Sequence, residues 1–261
     1  MVDAKDIVIV ASAFGMDAVR SDGHLKWARA ARQAGAVGFE VRRELFASDA
    51  DIAPQQLRAL GAALTELGLW SVFSTPAELY TRDGRLDADA LGLALDEAVA
   101  LGARFVKLQL GGFAGDTGAA TLAALLAART DAGKPRLVVE NGQLADGGSP
   151  AQFAALFAAL LREGRAHLLG MTFDIGNWAW LEVAALEVAP QLAPHVEYIH
   201  CKSAAGEGAR RFPVAPAEDD AQFRAVLASL PNDVPRGIEF PFDASRLDAD
   251  AARAVNWLAR I

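Results

Sequence analysis

A single cysteine, Cys201, stands alone in 261 residues. An internal disulfide is thereby excluded, and the chain is expected in a reducing compartment, the cytoplasm. Basic residues are outnumbered too: 25 Lys and Arg face 33 Asp and Glu, a net charge of −8. No cluster of Lys and Arg forms a face that could track phosphates, so nucleic acid is not an expected partner. The polar start, Met1 to Asp6, leads into an apolar run of about six residues, too short and wrongly flanked for a secretion signal or a membrane span. Four histidines in all cannot furnish a centre of several metals held by many imidazoles. A glycine-rich phosphate turn is also missing, because the segment after the first apolar run reads Ala13-Phe14-Gly15-Met16-Asp17.

What is present is apolar sequence in a regular rhythm. Hydrophobic residues make up 52% of the chain, enough for a sizeable core and too much for disorder. Strand-like runs fall at Ile7–Ser12, Val37–Leu45, Leu69–Ser74, Arg104–Leu110, Arg136–Glu140, Leu168–Asp174, His195–Lys202 and Pro235–Phe240. Helical patterns lie between them, at Gly23–Gln33, Pro54–Leu67, Asp87–Leu101, Gly118–Ala132, Pro150–Arg162, Trp178–Ala189 and Glu218–Leu230, with a last one at Asp248–Arg260. Pro54 opens one helix, and Gly68, Gly102 and Gly133 follow the ends of others. Alternation of this kind implies parallel strands joined by crossover helices. Eight such units in about 260 residues match a (β/α)8 TIM barrel, one domain over residues 1–261. An open doubly wound sheet usually has fewer units and the missing glycine turn.

Four of the runs end in residues that can ligate a metal: Glu140, Asp174, His200 and Glu239. A charged group at the end of a buried strand is costly unless it has a partner. In a barrel these strand ends are neighbours on one rim, the rim where such barrels carry their chemistry. Three carboxylates and one imidazole suit a hard-to-borderline divalent cation, Mn²⁺ first, with Mg²⁺, Co²⁺ and Zn²⁺ as alternatives. Taken singly, each residue reads as well as a salt-bridge or capping partner; the joint placement favours a shared ion.

Other polar residues share these strands. Lys202 has the parity of His200, and Glu40, Arg42 and Glu44 form a charged row on the second strand, which suits an internal ion-pair network. Lys107 and Gln109 alternate on the fourth strand. Asn141, Gln143 and Asp146 follow Glu140, with Asp146 a possible hydroxyl acceptor. The loop from Ala204 to Arg211, rich in glycine and arginine, fits either a phosphate grip or a solvent loop. Trp27, Trp70, Trp178 and Trp180 fit either core packing or an apolar wall against a ligand.

The segments Leu137-Val138-Val139-Glu140-Asn141-Gly142-Gln143, Thr172-Phe173-Asp174-Ile175-Gly176-Asn177, Tyr198-Ile199-His200-Cys201-Lys202 and Gly237-Ile238-Glu239-Phe240-Pro241 resemble strands of the sugar-phosphate isomerase/epimerase family. These are the xylose-isomerase-like barrels, which include ketose 3-epimerases and inosose-type enzymes. Gly35 to Arg43 is similar as well. The resemblance implies one divalent metal on Glu140, Asp174, His200 and Glu239, with Glu140 and Glu239 also moving the proton through a metal-stabilised enediolate. It implies a small carbohydrate substrate, with Lys202, Asn177, Asp146, Gln109 and Arg210 as candidate contacts, and a homo-oligomer. Two positions depart from the family pattern. Asn177 stands where many relatives have a histidine, and Gly206 where many have an arginine, with Arg210 and Arg211 slightly further on. The alternatives are dehydration or elimination next to a carbonyl of a keto-sugar or inosose, and a non-catalytic sugar-binding subunit on the same barrel. An endonuclease on this barrel would need more histidines and a basic face.

Overall fold

The computed structural model describes residues 6–128 and 135–261. The barrel strands are β1 (Ile7–Val10), β2 (Gly38–Arg42), β3 (Trp70–Tyr80), β4 (Phe105–Gly111), β5 (Arg136–Glu140), β6 (Gly170–Asp174) and β7 (Val196–Cys201). A small hairpin follows, β8 (Ser203–Ala205) and β9 (Phe212–Val214), and β10 (Arg236–Ile238) closes the ring against β1. Eight strands, all but the hairpin, form a closed parallel barrel in the order β1-β10-β7-β6-β5-β4-β3-β2. The expected (β/α)8 barrel in a single domain is the observed fold.

Alternation along each strand separates two cores. Outward residues such as Ile9, Phe39, Val41, Val106, Leu108, Val139 and Phe173 pack under the helices, against Leu57, Leu91, Phe153, Phe157 and Leu258 among others. Inward residues of the lower lumen form a second, small cluster of Val8, Val72, Phe105, Val138 and Tyr198, with Trp70 against it. The helices are fixed by local chemistry. Asp87 caps the helix Ala88–Leu101 by accepting the amide of Ala90 at 2.9 Å. Gly61 lets that helix approach Pro54–Glu66, because a Cβ there would lie 2.0 Å from the carbonyl oxygen of Leu101.

Several boundaries differ from those read in the sequence. β2 stops at Arg42, where Arg43–Leu45 turns into a 3₁₀ helix, so Glu44 leaves the strand. β3 continues to Tyr80, with a register shift between Ser74 and Glu78; Pro76, which has no amide hydrogen to donate, lies within that shift. The helix expected at Trp178–Ala189 is a 3₁₀ turn, Asn177–Leu181, and a separate helix, Ala185–Leu192, parted by Glu182 in the left-handed region at φ 56°. The helix expected from Gly118 starts at Asp116; its expected end and Gly133 lie outside the described residues. A helix at Met16–Asp22 was not anticipated. Nor was the hairpin, which occupies the loop from Ala204 to Arg211 and its flanks. Among the described residues no helix is long and apolar enough to cross a membrane.

Candidate metal centre

The alternation that puts Val138 and Tyr198 in the lumen also puts Glu140 and His200 there, one pleat higher. β6 pairs with β7 so that Asp174 lies beside His200, and Glu239 follows β10 directly, its amide bonded to the carbonyl of Cys201 at 3.3 Å. One ligand atom from each of Glu140, Asp174, His200 and Glu239 lies within 4.8 Å of the others. The site therefore gathers on the C-terminal rim from the strands expected to carry it.

His200 sits at the centre. Its Nδ1 is 2.7 Å from Glu140 Oε1, 3.0 Å from Glu239 Oε2 and 3.7 Å from Asp174 Oδ2. Its Nε2 faces the opposite way, 2.8 Å from Oε2 of buried Glu40. Three fixed cations brace the carboxylates. Lys107 Nζ contacts Glu140 Oε2, which also accepts from Gln109 at 2.7 Å. Lys202 Nζ bridges Asp174 Oδ2 at 2.7 Å and Glu239 Oε2 at 2.6 Å. Arg42 holds Glu239 Oε1 at 2.6 Å and Glu44 Oε1 at 2.7 Å. The charged row read on the second strand thus forms the expected ion-pair network.

The donor set fits a divalent cation on three counts. Its atoms are those a hard-to-borderline ion prefers. Glu140 Oε1 and Asp174 Oδ2 are buried and have ionic neighbours at 2.7 Å, yet neither makes a hydrogen bond of acceptable angle. Five carboxylates, those of Glu40, Glu44, Glu140, Asp174 and Glu239, face three fixed cations, an excess of two negative charges. A divalent ion would balance that excess.

The ionisation states follow from the same contacts. Burial pushes the Glu140 carboxyl up, but Lys107 and His200 outweigh it and hold the group below the usual range. Burial acts likewise on Glu239, where Lys202, His200 and Arg42 outweigh it and hold the group well below the usual range. On Asp174 burial prevails and the group is raised, although Lys202 opposes it. Burial would lower His200, but Glu239, Glu40 and Glu140 raise it well above its ordinary value. The carboxylates around the imidazole thus favour its protonated form when no cation lies between them.

The remaining expected contacts divide. Gln109 and Lys202 touch the cluster, as described. Asn177 is buried, but its side chain serves the fold: it donates to the carbonyl of Asn141 at 2.7 Å and accepts from Gln143 at 3.2 Å, while its amide caps Asp174 Oδ1 at 2.9 Å. Asp146 is exposed in the turn Ala145–Gly148, and Arg210 is exposed in the turn Gly208–Arg210 of the hairpin. Arg211 reaches toward Glu182 at 3.9 Å. Of the tryptophans, Trp178 packs between Phe153 and Phe173, Trp70 lies beside Phe105, and Trp27 stacks on Phe14. His24 and His195 stay apart from the centre, on the backbone of Arg42 and on the ring of Phe157. Strand parity alone places Glu40, Arg42 and Lys107 inside the barrel, as an ion-pair network or pocket lining; what the sequence did not give is their contact with the four clustered residues.

A family model described as "xylose isomerase-like TIM barrel" matches residues 28–261. No curated protein matches the sequence. Among solved structures, D-psicose 3-epimerase in the presence of D-fructose aligns at TM-score 0.70 and 13% identity, covering 97% of each chain. The probable 3-DHS dehydratase AsbF of Bacillus anthracis, involved in petrobactin synthesis, aligns at TM-score 0.59 and 13% identity, covering 97% of this chain and 98% of its own. A xylose isomerase-like TIM barrel/4-hydroxyphenylpyruvate dioxygenase fusion protein aligns at TM-score 0.69 and 17% identity over 98% of this chain, which spans only 42% of that longer protein. At these identities the similarity is one of fold.

Proposed function

Because the chain belongs to the xylose isomerase-like TIM barrel family, we propose that it is a divalent-metal-dependent sugar isomerase or epimerase. The observation that carries this reading is the convergence of Glu140, Asp174, His200 and Glu239 within 4.8 Å. These four residues would hold one cation, with Mn²⁺ the expected ion. A cation held there would polarise a substrate carbonyl and acidify the neighbouring C–H.

Glu140 and Glu239 then move the proton. Each is kept ionised by cations at its back: Lys107 for Glu140, and Arg42 and Lys202 for Glu239. One carboxylate removes the proton next to the carbonyl. If the other, charged with a proton from solvent, delivers it to the opposite face of the same carbon, the product is an epimer. If the proton goes to the adjacent carbon, the product is the aldose or ketose isomer. Well-placed acid–base groups of this kind typically contribute about 10²–10⁴-fold.

The substrate we propose is a neutral polyhydroxy carbonyl compound. Arg42, Lys107 and Lys202 each engage carboxylates of the centre, and the arginines of the hairpin are exposed or turned to Glu182. A phosphate entering the lumen would find Arg42, Lys107 and Lys202 already committed. Dehydration is the second reading, favoured by the fold shared with the dehydratase; it begins with the same proton removal.

Incubation with Mn²⁺ and a panel of ketopentoses, ketohexoses and inososes in D₂O, followed by NMR, tests the proposal. Deuterium at an inverted carbon or at the carbon beside a shifted carbonyl is the expected result. Loss of a hydroxyl group supports dehydration instead. No turnover of any substrate, together with no metal uptake, overturns both and favours a binding subunit.

A further inference from the structure

Glu40 is the one carboxylate of the lumen that touches His200 from behind. Its side chain is fully buried, and its two oxygens have different neighbours. Oε2 accepts from Tyr198 Oη at 3.0 Å and meets His200 Nε2 at 2.8 Å. Oε1 faces Lys107 Nζ at 3.7 Å. A carboxylate only accepts, so His200 Nε2 must carry the hydrogen of that bond. With a cation in place of the second ring proton, that bond leaves the lone pair on Nδ1, the nitrogen that faces Glu140, Glu239 and Asp174.

The contact spans the lumen. β2 and β7 are not neighbours; β1 and β10 stand between them. The gap is left open by Gly237 on β10, where a Cβ would lie 2.3 Å from Tyr198 Oη and 3.0 Å from His200 Cδ2. Any larger residue at 237 would push both rings from the positions in which they meet Glu40.

We propose that Glu40 is a positioning residue: by accepting from Nε2 it fixes the tautomer and the ring plane of His200, so that Nδ1 is presented to the cation. This rests on the reading of the four-residue cluster as a metal site. Partners of this kind, hydrogen-bonded to a ligating imidazole, typically change metal affinity by about 10–100-fold when removed.

The test is metal affinity by calorimetry with Mn²⁺ and Mg²⁺, together with ¹⁵N NMR of histidine-labelled, Mg²⁺-loaded protein. The wild type is expected to show His200 protonated at Nε2 and unprotonated at Nδ1. Glu40→Leu removes the acceptor and should weaken metal binding about 10–100-fold and mix the two tautomers. Glu40→Gln keeps an acceptor oxygen and should restore most of the affinity. Gly237→Ala leaves every charged group in place and should weaken binding as well, so the proposal remains testable if Glu40→Leu does not fold. Wild-type affinity and an unchanged ¹⁵N pattern in Glu40→Leu and Gly237→Ala, with only the melting temperature lowered, would make Glu40 a structural partner of Lys107 and overturn the proposal. A wild-type protein that binds none of Mn²⁺, Mg²⁺, Co²⁺ or Zn²⁺ overturns the metal reading itself, a different result from normal binding that ignores Glu40.

Discussion

The lower and upper halves of the barrel lumen are built from the same strands and obey opposite rules. Below, Val8, Val72, Phe105, Val138 and Tyr198 close the barrel with apolar contacts. One pleat higher, Glu40, Lys107, Glu140, His200 and Lys202 fill a space as thoroughly buried with charge. Burial of apolar surface stabilises at roughly 25 cal/mol per Å², whereas burial of ions costs several kcal/mol each before their pairing returns it. The lower layer is therefore a source of stability, and the upper layer is a stability cost.

The largest expected effect separates the layers by activity. Glu140→Gln should lower kcat by about 10²–10⁴-fold while the barrel stays folded, because Gln109 and Lys107 still surround an oxygen at that position. Steady-state rates and circular dichroism check it. Val138→Ala, two residues earlier on the same strand, should do the reverse: it loses stability and keeps most of the rate.

Next come two changes of similar size and different origin. Phe105→Ala opens a cavity in the apolar layer and should cost about 3–5 kcal/mol. Lys107→Met leaves Glu40 and Glu140 without their ammonium partner and should cost about 3–5 kcal/mol. Urea unfolding with and without Mn²⁺ tells them apart, since the bound cation should recover part of the loss for Lys107→Met and a similar increment only as in wild type for Phe105→Ala. Equal recovery in both would break the distinction between layers.

Metal itself should stabilise the wild type by about 2.7 kcal/mol at a concentration one hundred times Kd. The shift in melting temperature should vanish in Asp174→Ala, which removes a ligand from the upper layer, and persist in Val72→Ala, which alters only the lower one.

The smallest effect lies outside the lumen and acts as a control. His24 is buried against the backbone of Arg42, and burial, only partly opposed by that hydrogen bond, lowers its pKa to about 4. The unfolded chain takes up the proton near pH 6.5 and the folded one only near 4. The neutral ring therefore contributes its full stability above about 6.5, and that contribution is lost as pH falls toward 4. Between pH 7 and pH 5 the loss should be about 2 kcal/mol, read from urea midpoints, and it should disappear in His24→Gln.

The strands and the four clustered residues, Glu140, Asp174, His200 and Glu239, were legible in the sequence because both depend on short-range pattern. An apolar run ending in Glu, Asp or His has the same meaning whichever strands flank it. What was illegible depends on pairing across the barrel. That Glu40 reaches His200, 160 positions away, follows from ring closure and from the space at Gly237, neither of which is written in the segment around Glu40. The hairpin was missed because Ser203-Ala204-Ala205 has little strand propensity of its own, and its partner Phe212-Pro213-Val214 contains a proline. The break at Glu182 was missed because Trp178 to Ala189 is continuously apolar enough to read as one helix, and only the folded backbone shows the left-handed residue within it.

The side chains that brace the ligands, Lys107, Gln109 and Arg42, come from strands, whereas Asp146 and Arg210 lie on exposed loops above them. Inheritance of the two sets is thereby uncoupled. Under the proposed function, changes to the loops of the rim would alter which molecules are admitted while Glu140, Asp174, His200 and Glu239 below keep their places. A barrel arranged in this way is a chassis for new specificities, and the hairpin between Ser203 and Val214 is the natural first segment to graft.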